Sequence, residues 1–506
     1  MIKATKEFLD QQDALYLKRR EEILNTKDDI KIVGKTYYVS NDGDDHNDGQ
    51  TPETSWKTLK RVTDAYLNPG DGVRFKRGNL FRGSVICKPG VTYCAYGEGE
   101  KPKFYAGKKD YADPDLWELY DEEHHIWKCK EKMLDSGTLV FNHGEYHSRK
   151  LIPSYRDLKW VHRNDESKEF NVRTDMEKDL DIFWSFDELM TRTPSLGEDF
   201  PVPCLNGSNI NESAARGVLF LRCDRGNPGE VFDSIESLAR LHMFKVSSNA
   251  NVRIDNLCIK YVGMHGVSAG GVSVKGLKVT NCEFGWIGGA IQNYTGMDPN
   301  FTNARRGQIV RFGNAIEVYG GCDDYLAENN YIYEVYDAGI THQVSAFKKF
   351  ELKNVRYTRN LIEKCVYGIE YFLEIKTGGE DSFMDHIEMD HNIIRLSGYG
   401  WGQQRHNYHT PALIKGWSYE NPAANYSVHH NIFDRSAYRM LHLVAEEQKN
   451  CPEMYDNTYI QNIGGMIGQY GGKEAGEPAV EIFDENAEEK IEKIFCDKSA
   501  KVYCIE

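Results

Sequence analysis

Short runs of alternating apolar and polar residues fill most of the chain, and few stretches have a helical period. Between residues 36 and 107 the runs are separated by the turn-forming sequences PGD, KPG and YGEGEKP. From 241 to about 470 the short apolar runs continue, again without a helical period. The pattern therefore predicts an all-β protein built from many short strands.

A recurring asparagine gives the second half of the chain its period. An asparagine followed within three positions by apolar or aromatic residues returns at intervals of about 25 to 50 residues, which is typical of solenoids. The recurring residues are Asn256, Asn281, Asn330, Asn360, Asn392, Asn431 and Asn457. Short strands at such intervals indicate stacked parallel coils. We expect the asparagine amides to form a ladder that satisfies backbone groups at a tight turn and links each coil to the next.

A second short strand follows most of these asparagines. Because side chains alternate along a strand, the residues on either side of its inward residue are expected to point outward. The expected inward residues are Ile291, Ile316, Ile340, Ile369, Trp401 and Met440.

The remaining regions predict additions to a single solenoid. Near the N-terminus, apolar residues at helical spacing predict an amphipathic helix. The residues expected on its apolar side are Phe8, Leu9, Leu15, Leu17 and Ile23. The predicted divisions are the helix in 1–35, the first part of the solenoid in 36–107, an inserted β-sandwich-like subdomain in 108–240, the main coils in 241–470 and a C-terminal cap in 471–506.

Charge and cysteine content narrow the classes of partner and compartment. The 506 residues include 77 acidic and 62 basic side chains, and without a basic cluster this balance disfavours nucleic-acid binding. No run of about 18 apolar residues is present, which argues against a membrane span. The twelve cysteines are scattered singly and no secretory signal is visible, so we expect reduced thiols and a cytoplasmic protein.

The polar loop NDGDDHNDG is the place where the sequence suggests a metal. Its aspartates, Asp42, Asp44, Asp45 and Asp48, supply enough carboxylates for Ca²⁺. Their spacing does not follow the EF-hand pattern, so a solvated turn is the preferred interpretation. We predict no other metal or cofactor.

Three carboxylates are predicted to converge on one outward face. Glu317 and Glu370 each follow an inward isoleucine and are separated by one coil, so their backbones are expected to lie about 9.6 Å apart. Asp337 precedes the strand of the coil between them. A glycosidase needs one carboxyl group to protonate the leaving oxygen and another to act as nucleophile or to activate water. Asp337 and Glu370 are the favoured catalytic pair, and Glu317 would orient substrate or tune a pKa.

Side chains suited to sugar binding are expected around these carboxylates, because aromatic faces stack on sugar rings while amides and imidazoles bond hydroxyl groups. The candidates are Gln292, Tyr294, His342, Gln343, Tyr319, Tyr371, Trp286, Trp401, His265 and His406. For each aromatic residue taken alone, ordinary packing along the solenoid is the alternative interpretation. For His265 and His406 the alternative is a hydrogen-bonded turn histidine.

Several motifs resemble right-handed parallel β-helix proteins of the pectate-lyase-like superfamily, in particular its β-helix glycoside hydrolases. The motifs are TYYVSNDGDDHNDG, SWKTLKRV, PGDGVRFKRG, IDNLCIKYVGMHGV, GNAIEVYGGC and YDAGITHQ. The resemblance covers roughly 36–107 and 241–470. It implies a β-helix that acts on carbohydrate. The superfamily also includes lyases, esterases and adhesins, so the reaction has to be argued from the site.

These observations favour a glycoside hydrolase that cleaves an oligosaccharide. A polysaccharide lyase acting on uronate-containing glycans is the first alternative, and it would need a lysine, arginine, histidine or tyrosine base. We place it second because the predicted face is poor in lysine and arginine. A non-catalytic carbohydrate-binding β-helix is the other alternative. No membrane partner is expected, and a homo-oligomer stays open.

Overall fold

The structure is a computed structural model, and it describes residues 2–156, 159–185, 216–247, 251–271, 273–294, 309–405, 410–418, 423–445, 450–471 and 481–506. Most of its regular structure consists of β-strands, the majority of them in parallel sheets. At this level the prediction of a mainly β protein is confirmed.

Three sheets, which we call A, B and C, contain most of the described strands. In stacking order, sheet A contains Leu80–Arg82, Lys103–Tyr105, Cys258–Val262, Glu283–Ile287, Tyr331–Val335, Leu361–Glu363, Ile393–Ser397, Ile432–Ser436, Thr458–Asn462, Lys501–Ile505 and Ile2–Lys3, with Ile235–Ala239, Ser136–Phe141 and Tyr146–His147 at one end. Sheet B contains Thr36–Val39, Gly72–Lys76, Thr92–Tyr96, Arg253–Asp255, Val274–Lys275, Lys278–Thr280, Cys322–Glu328, Glu351–Thr358, Phe383–Asp390, Ala423–His429 and Glu453–Tyr455. Sheet C contains Val85–Ile86, Phe244–Lys245, Val267–Gly270, Ile316–Tyr319, Ala338–Ala346, Tyr367–Ile375, Ala412–Ser418, Arg439–Ala445 and Met466–Tyr470.

The chain visits these sheets in rotation. Cys322–Glu328 lies in sheet B, Tyr331–Val335 in sheet A and Ala338–Ala346 in sheet C, and Glu351–Thr358 then returns to sheet B beside the first strand. The rotation continues as far as Met466–Tyr470. Because side chains alternate across each strand, one face of every sheet supplies apolar side chains to a single hydrophobic core.

The inner face of sheet C carries a column of aligned aliphatic residues. Ile316, Ile340, Ile369, Ile414 and Leu441 are direct neighbours on successive parallel strands. All are fully buried. The alignment that the sequence predicts is therefore confirmed at the first three of these positions.

The predicted alignment is wrong at Ile291, Trp401 and Met440. Ile291 belongs to an antiparallel hairpin outside sheet C, and Trp401 begins a 3-10 turn. Met440 is one residue short of Leu441, which occupies the aligned position. Loops of unequal length separate the strands, so residue spacing alone assigns some positions to the wrong strand.

A ladder of asparagine amides follows the turn between sheets B and A. Asn330 Nδ2 donates to Oδ1 of Asn360 at 2.9 Å, and the series continues through Asn392 and Asn431 to Asn457 at 2.9, 3.0 and 3.1 Å. Each accepting oxygen also receives a backbone N–H from the preceding turn at 3.0 Å. These side chains are buried, so the ladder satisfies polar groups that would otherwise lack partners.

Asn256 and Asn281 stand outside this ladder. Both have a positive φ, of 61° and 58°, and occupy the left-handed position one residue before it. Cys282 holds the ladder position instead, where its backbone N–H donates to Oδ1 of Asn330 at 3.0 Å. The prediction of seven equivalent asparagines is wrong for these two, because asparagine also suits a left-handed turn position.

Between residues 108 and 240, the segment that we call the insertion, the described strands outside sheet A form a mainly antiparallel sheet with its own hydrophobic core. Its strands are Trp117–Asp121, Ile126–Cys129, Met133–Leu134, Arg149–Lys150, Asp181–Ser185 and Arg216–Arg222, with a smaller sheet of Ser154–Arg156, Lys159–His162 and Asp165–Glu169. A hairpin of Ala290–Tyr294 and Ile309–Phe312 extends from the coils. Ile291 of this hairpin packs in the core of the insertion, which joins the two parts.

The described helices flank the sheets. They are Lys6–Leu24, Leu59–Asp64, Val172–Asp175, Pro228–Val231 and Ala487–Phe495, and 3-10 turns occur at Pro114–Leu116, Asn142–Gly144 and Trp401–Gln404. No helix within the described residues is long and apolar enough to cross a membrane. The described cysteines are free, and all but Cys496 are buried.

The N-terminal helix packs on sheet A through Tyr16 and Ile23, which are seven residues apart and share one side of the helix. Leu15 and Leu17 are 41% and 56% exposed, so the predicted apolar stripe is wrong at these positions. At the other terminus, Asp497 ends the asparagine ladder by accepting from Asn457 Nδ2 at 2.9 Å.

We expect Asn360→Ala to destabilise the fold. The substitution leaves the backbone N–H of Asn330 and one N–H of its amide without their acceptor, removes one of the two donors to Oδ1 of Asn392, and removes the side-chain donor to the carbonyl of Ala327. Buried polar groups without partners cost about 1–3 kcal/mol each, so we expect a loss of about 3 kcal/mol in the free energy of unfolding. Denaturant titration measures this loss.

Asn486→Ala is the matched control, because Asn486 is exposed, has a φ of -98° and forms no side-chain hydrogen bond to the helix that it precedes. It should change the free energy of unfolding by less than about 1 kcal/mol. Equal losses in the two variants would contradict a structural role for the ladder.

Candidate functional site

One column of side chains runs along the outer face of sheet C. Each of its members follows an inward residue of the core, and side-chain alternation directs it outward. The strand register places side by side Lys245, Ser268, Glu317, Thr341, Glu370, Lys415, His442 and Gln469. Glu317 and Glu370 are two strand spacings apart, or about 9.6 Å between backbones. The structure thus brings two of the predicted carboxylates into one column, on either side of Thr341.

The carboxyl group of Glu317 is buried among neutral hydrogen-bond donors. Its Oε2 accepts from Thr341 Oγ1 at 2.9 Å and from the amide of Asn314. Burial raises the pKa of Glu317 to about 7, and the nearby charge of Glu370 raises it further while the two donors oppose the shift. This group can therefore carry a proton near neutral pH.

His265 lies on the other side of Glu317. The backbone N–H of Asn314 donates to His265 Nδ1 at 2.9 Å, which leaves the proton of the neutral ring on Nε2, 3.9 Å from Oε1 of Glu317. The ring stacks on His242 with centroids 5.0 Å apart. Burial lowers the pKa of His265 to about 4, so the imidazole offers a neutral donor instead of a cation.

Glu370 is held by an ion pair. Lys415 Nζ lies 2.6 Å from its Oε1, and Gln343 Nε2 donates to its Oε2 at 2.7 Å. The ammonium group also lies 4.2 Å from the ring centroid of Tyr367. The charge of Glu370 raises the pKa of Lys415 against the effect of burial, so the lysine stays charged.

Asp337 lies in the turn that enters the strand Ala338–Ala346, and its carboxyl group pairs with Arg405. Burial raises the pKa of Asp337, while the guanidinium of Arg405 acts in the opposite direction. The negative charge of Glu370 also raises the pKa of Asp337. Asp337, Glu317 and Glu370 are 8%, 6% and 7% exposed, so they are desolvated without being sealed from solvent.

Tyr319 and Gln343 lie near these carboxylates, as the sequence predicts. They occupy adjacent strands two residues beyond the main column and are direct neighbours in the register. Tyr319 is half-buried and meets the ring of Phe372 edge to face at 5.9 Å. The side-chain amide of Gln343 donates a hydrogen bond to Glu370.

His342 and Tyr371 point into the core, so the prediction that they face substrate is wrong. Strand alternation turns both of them inward, where the rings stack with centroids 5.3 Å apart. The hydroxyl groups of Tyr357 and Tyr426 contact Nδ1 and Nε2 of His342 at 2.9 and 3.2 Å. Gly416 makes room for this cluster, because a Cβ there would lie 2.0 Å from the ring of Tyr371.

Trp286 and Trp401 pack in a buried aromatic cluster with Tyr336, outside the carboxylate column, so the predicted position of these rings beside the carboxylates is wrong. The indole N–H of Trp401 donates to the carbonyl of Glu334 at 2.8 Å. These rings fill the space between the coils and the insertion.

Gln292 belongs to the hairpin and lies outside the column, because the strand aligned there is Val267–Gly270. The side chain of Tyr294 and the whole of His406 lie outside the described residues.

Several residues of the site are missing from the sequence-based candidates: Asn314, Thr341, Arg405, Lys415 and His242. A column aligned on Ile414 instead of Trp401 would have reached Lys415 directly. The expectation that this face is poor in lysine and arginine is wrong, since Lys415 and Arg405 both contact its carboxylates.

The aspartates of the NDGDDHNDG loop bond to their own turn. Asp45 accepts from the backbone N–H groups of Lys57 and Thr58 at 2.8 and 2.9 Å, and Asp48 accepts from the hydroxyl of Thr54 at 2.7 Å. Within the part of the chain that the structure describes, no cluster of three metal-ligating side chains is found.

Comparison with known proteins gives distant matches. No protein-family model matches the chain, and no curated protein matches it. Among solved structures, XylC in complex with xylose has 12% identity and a TM-score of 0.39, with 93% of this chain and 82% of that chain covered. The GH136 lacto-N-biosidase from Eubacterium ramulus has 12% identity and a TM-score of 0.37, with 99% and 70% covered. The family 28 exopolygalacturonase from Yersinia enterocolitica has 12% identity and a TM-score of 0.25, with 93% and 78% covered. Likeness at this level carries no argument about the fold or the activity of this chain.

We expect stability to fall between about pH 4.5 and 7 because of Glu317. Its pKa is raised in the folded protein, so the folded state binds the proton more tightly, and that contribution is lost as the pH rises through about 7. A shift from 4.5 to about 7 corresponds to roughly 3 kcal/mol. Denaturant unfolding from pH 4.5 to 8 measures the change. Glu317→Gln should lack it, and equal slopes in the two proteins would contradict the protonated state.

Proposed function

We propose that the chain is a glycoside hydrolase, and that Glu317 and Glu370 supply the two carboxyl groups of the reaction. The observation that carries the proposal is the difference between their surroundings. Glu317 is buried beside neutral donors, whereas Glu370 is paired with the cation of Lys415. An acid–base pair requires two carboxyl groups in different environments, one of which can hold a proton near neutral pH, as Glu317 can.

In this mechanism Glu317 donates its proton to the glycosidic oxygen of the leaving sugar. Glu370, as the carboxylate, either attacks the anomeric carbon or takes a proton from the water that does so, and water supplies the hydroxyl group of the product. Asp337, paired with Arg405, is the third carboxylate and would bind sugar hydroxyls. These roles differ from the sequence-based pairing of Asp337 with Glu370, because the burial of Glu317 provides the proton.

We also infer that the three rotating sheets form a right-handed parallel β-helix that carries the insertion on one side. The support for this fold is the parallel register between successive strands of each sheet. The outer face of sheet C then presents a long row of stacked strands, along which an extended oligosaccharide could lie. Tyr319 and Phe372 stand in the next column and would contact the sugar faces.

A polysaccharide lyase remains the second candidate, since Lys415 and Arg405 could neutralise a uronate. Both are already paired with carboxylates, and the neighbouring negative charges raise both pKa values. A lyase base must be able to accept a proton, and these two side chains hold theirs. Hydrolysis therefore fits the site better.

Replacing either carboxyl group should slow turnover strongly. We expect Glu317→Gln and Glu370→Gln each to lower kcat/KM by about 10²–10⁴-fold, because each removes a proton-transfer group or nucleophile. Release of reducing sugar from a panel of oligosaccharides measures hydrolysis, and absorbance of an unsaturated uronate on the same panel measures elimination. Accumulation of unsaturated product would establish the lyase instead.

Glu374→Gln is the matched control, because Glu374 lies on the same strand and bonds to Ser345 and Lys376 at its far end. Its activity should stay within a few-fold of the wild type. Wild-type turnover in Glu317→Gln or Glu370→Gln would refute the assignment.

The pH profile should report the proton of Glu317. We expect kcat/KM to fall as the pH rises through about 7, because the acid then loses its proton. Thr341→Val removes a donor that holds this pKa down, so the falling limb should move up by about one pH unit, which matches one hydrogen bond. Initial rates from pH 4 to 9 test both statements, and a downward shift in Thr341→Val would contradict them.

A further inference from the structure

A cavity of about 560 Å³ lies at the N-terminal end of the sheet C face. Its walls come from the helix Leu59–Asp64, from the coils and from the insertion. Leu59, Ile86, Met133 and Leu241 are among the apolar residues of the lining. The three contributing regions are far apart in sequence, and the cavity exists only because the insertion covers this end of the face.

Lys245 joins the cavity to the carboxylate column. It lines the cavity, and on sheet C it neighbours Ile86 on one side and Ser268 on the other. Ser268 is in turn the neighbour of Glu317. Lys245 is therefore two strand spacings, or about 9.6 Å, from Glu317, with the small side chain of Ser268 between them in the column.

Buried rings form a second connection between the two places. His242 follows Leu241 of the cavity wall and stacks on His265, which faces Glu317. The charge of Lys245 helps to lower the pKa of His242, after burial and the effect of His265. Leu241 and His242 thus connect the cavity wall to the imidazole that faces Glu317.

The charge of the lining is mainly positive. Its cations are Lys60, Arg82, Lys108, Lys132 and Lys245, and its acid is Glu131. Arg82 is neutralised by both oxygens of Glu236 at 2.9 and 2.6 Å, and Glu131 is neutralised by Lys109 at 2.8 Å. Lys245, by contrast, forms no ion pair with any residue that the structure describes. A lysine on a partly apolar wall without an anionic partner attracts an anion from solution.

We propose that this cavity binds a sugar unit of the substrate that carries an acidic group, and that Lys245 pairs with that group. The acid would be a singly charged oxyanion, either the carboxylate of a uronate or a sulfate ester. The apolar wall would contact the C–H face of the ring, and the bond to be cleaved would lie farther along the same face, at Glu317 and Glu370. The inference rests on the proposed function and adds the charge of the substrate to it.

Binding to Glu317→Gln tests the inference without turnover, because this substitution keeps the charge of the site unchanged when Glu317 is protonated. Calorimetric titration with cellobiouronate against cellobiose, and with sulfated lactose against lactose, separates the two kinds of acid. We expect the charged member of at least one pair to bind about tenfold more tightly, as for a partly desolvated ion pair. Preference in one pair identifies the acid, and preference in both identifies a general oxyanion site.

Adding Lys245→Met should abolish this preference, whereas Lys245→Arg should retain most of it. Lys168→Met is the matched control, because it removes the same charge from an exposed position of the insertion. Equal binding of charged and neutral sugars to the starting protein would overturn the inference, and so would a preference that survives Lys245→Met. Neither result touches the proposed function, which fails separately if Glu370→Gln keeps wild-type turnover.

Discussion

The parallel pairing of each strand with the strand one circuit later is the constraint on which the rest of the structure depends. It repeats every position at about 4.8 Å, so like positions stack into columns. Inside sheet C the column is aliphatic, from Ile316 to Leu441. At the turn between sheets B and A it is a series of asparagine amides. The ladder works only in register, because a shift of one residue would leave each buried amide facing backbone that already has a partner.

The same stacking places charged side chains close together on the outer face of sheet C, where each charge needs a partner. Glu317, Glu370 and Lys415 occupy one column in a partly desolvated setting, where isolated charges are unfavourable. Glu370 and Lys415 neutralise each other, which leaves Glu317 with hydroxyl and amide donors and a neutral imidazole 3.9 Å away, but no cation. Glu317 therefore retains its proton because the neighbouring cation, Lys415, is already paired with Glu370. The site needs no special backbone conformation, only the choice of residue at four successive positions of a regular column.

Local alternation is strong enough to predict part of this arrangement from sequence. Glu317 and Glu370 follow isoleucines at similar places in similar strands, and the structure puts them in one column. The prediction fails where the intervals vary: the long connection before Ala412–Ser418 hides Ile414 and with it Lys415. The sequence could not predict the position of Arg405, because this residue lies in a turn and is not paired with a neighbouring strand. For His342 and Tyr371, strand alternation alone predicts an inward direction. The sugar-binding prediction relied on the chemistry of their rings instead, and the inward direction excludes it.

A regular sheet face can arrange reactive groups, but it cannot enclose a ligand. Enclosure needs walls, and around sheet C these come from the helix Leu59–Asp64 and from the insertion, which are distant in sequence from the carboxylates. Their residues follow no repeat, so no periodic pattern relates Met133 to Lys245 or to Glu317. In the proposed function, the reacting groups and the choice of sugar would therefore be encoded differently. Strand register would fix the reacting groups, while the choice of sugar would depend on segments that register does not constrain.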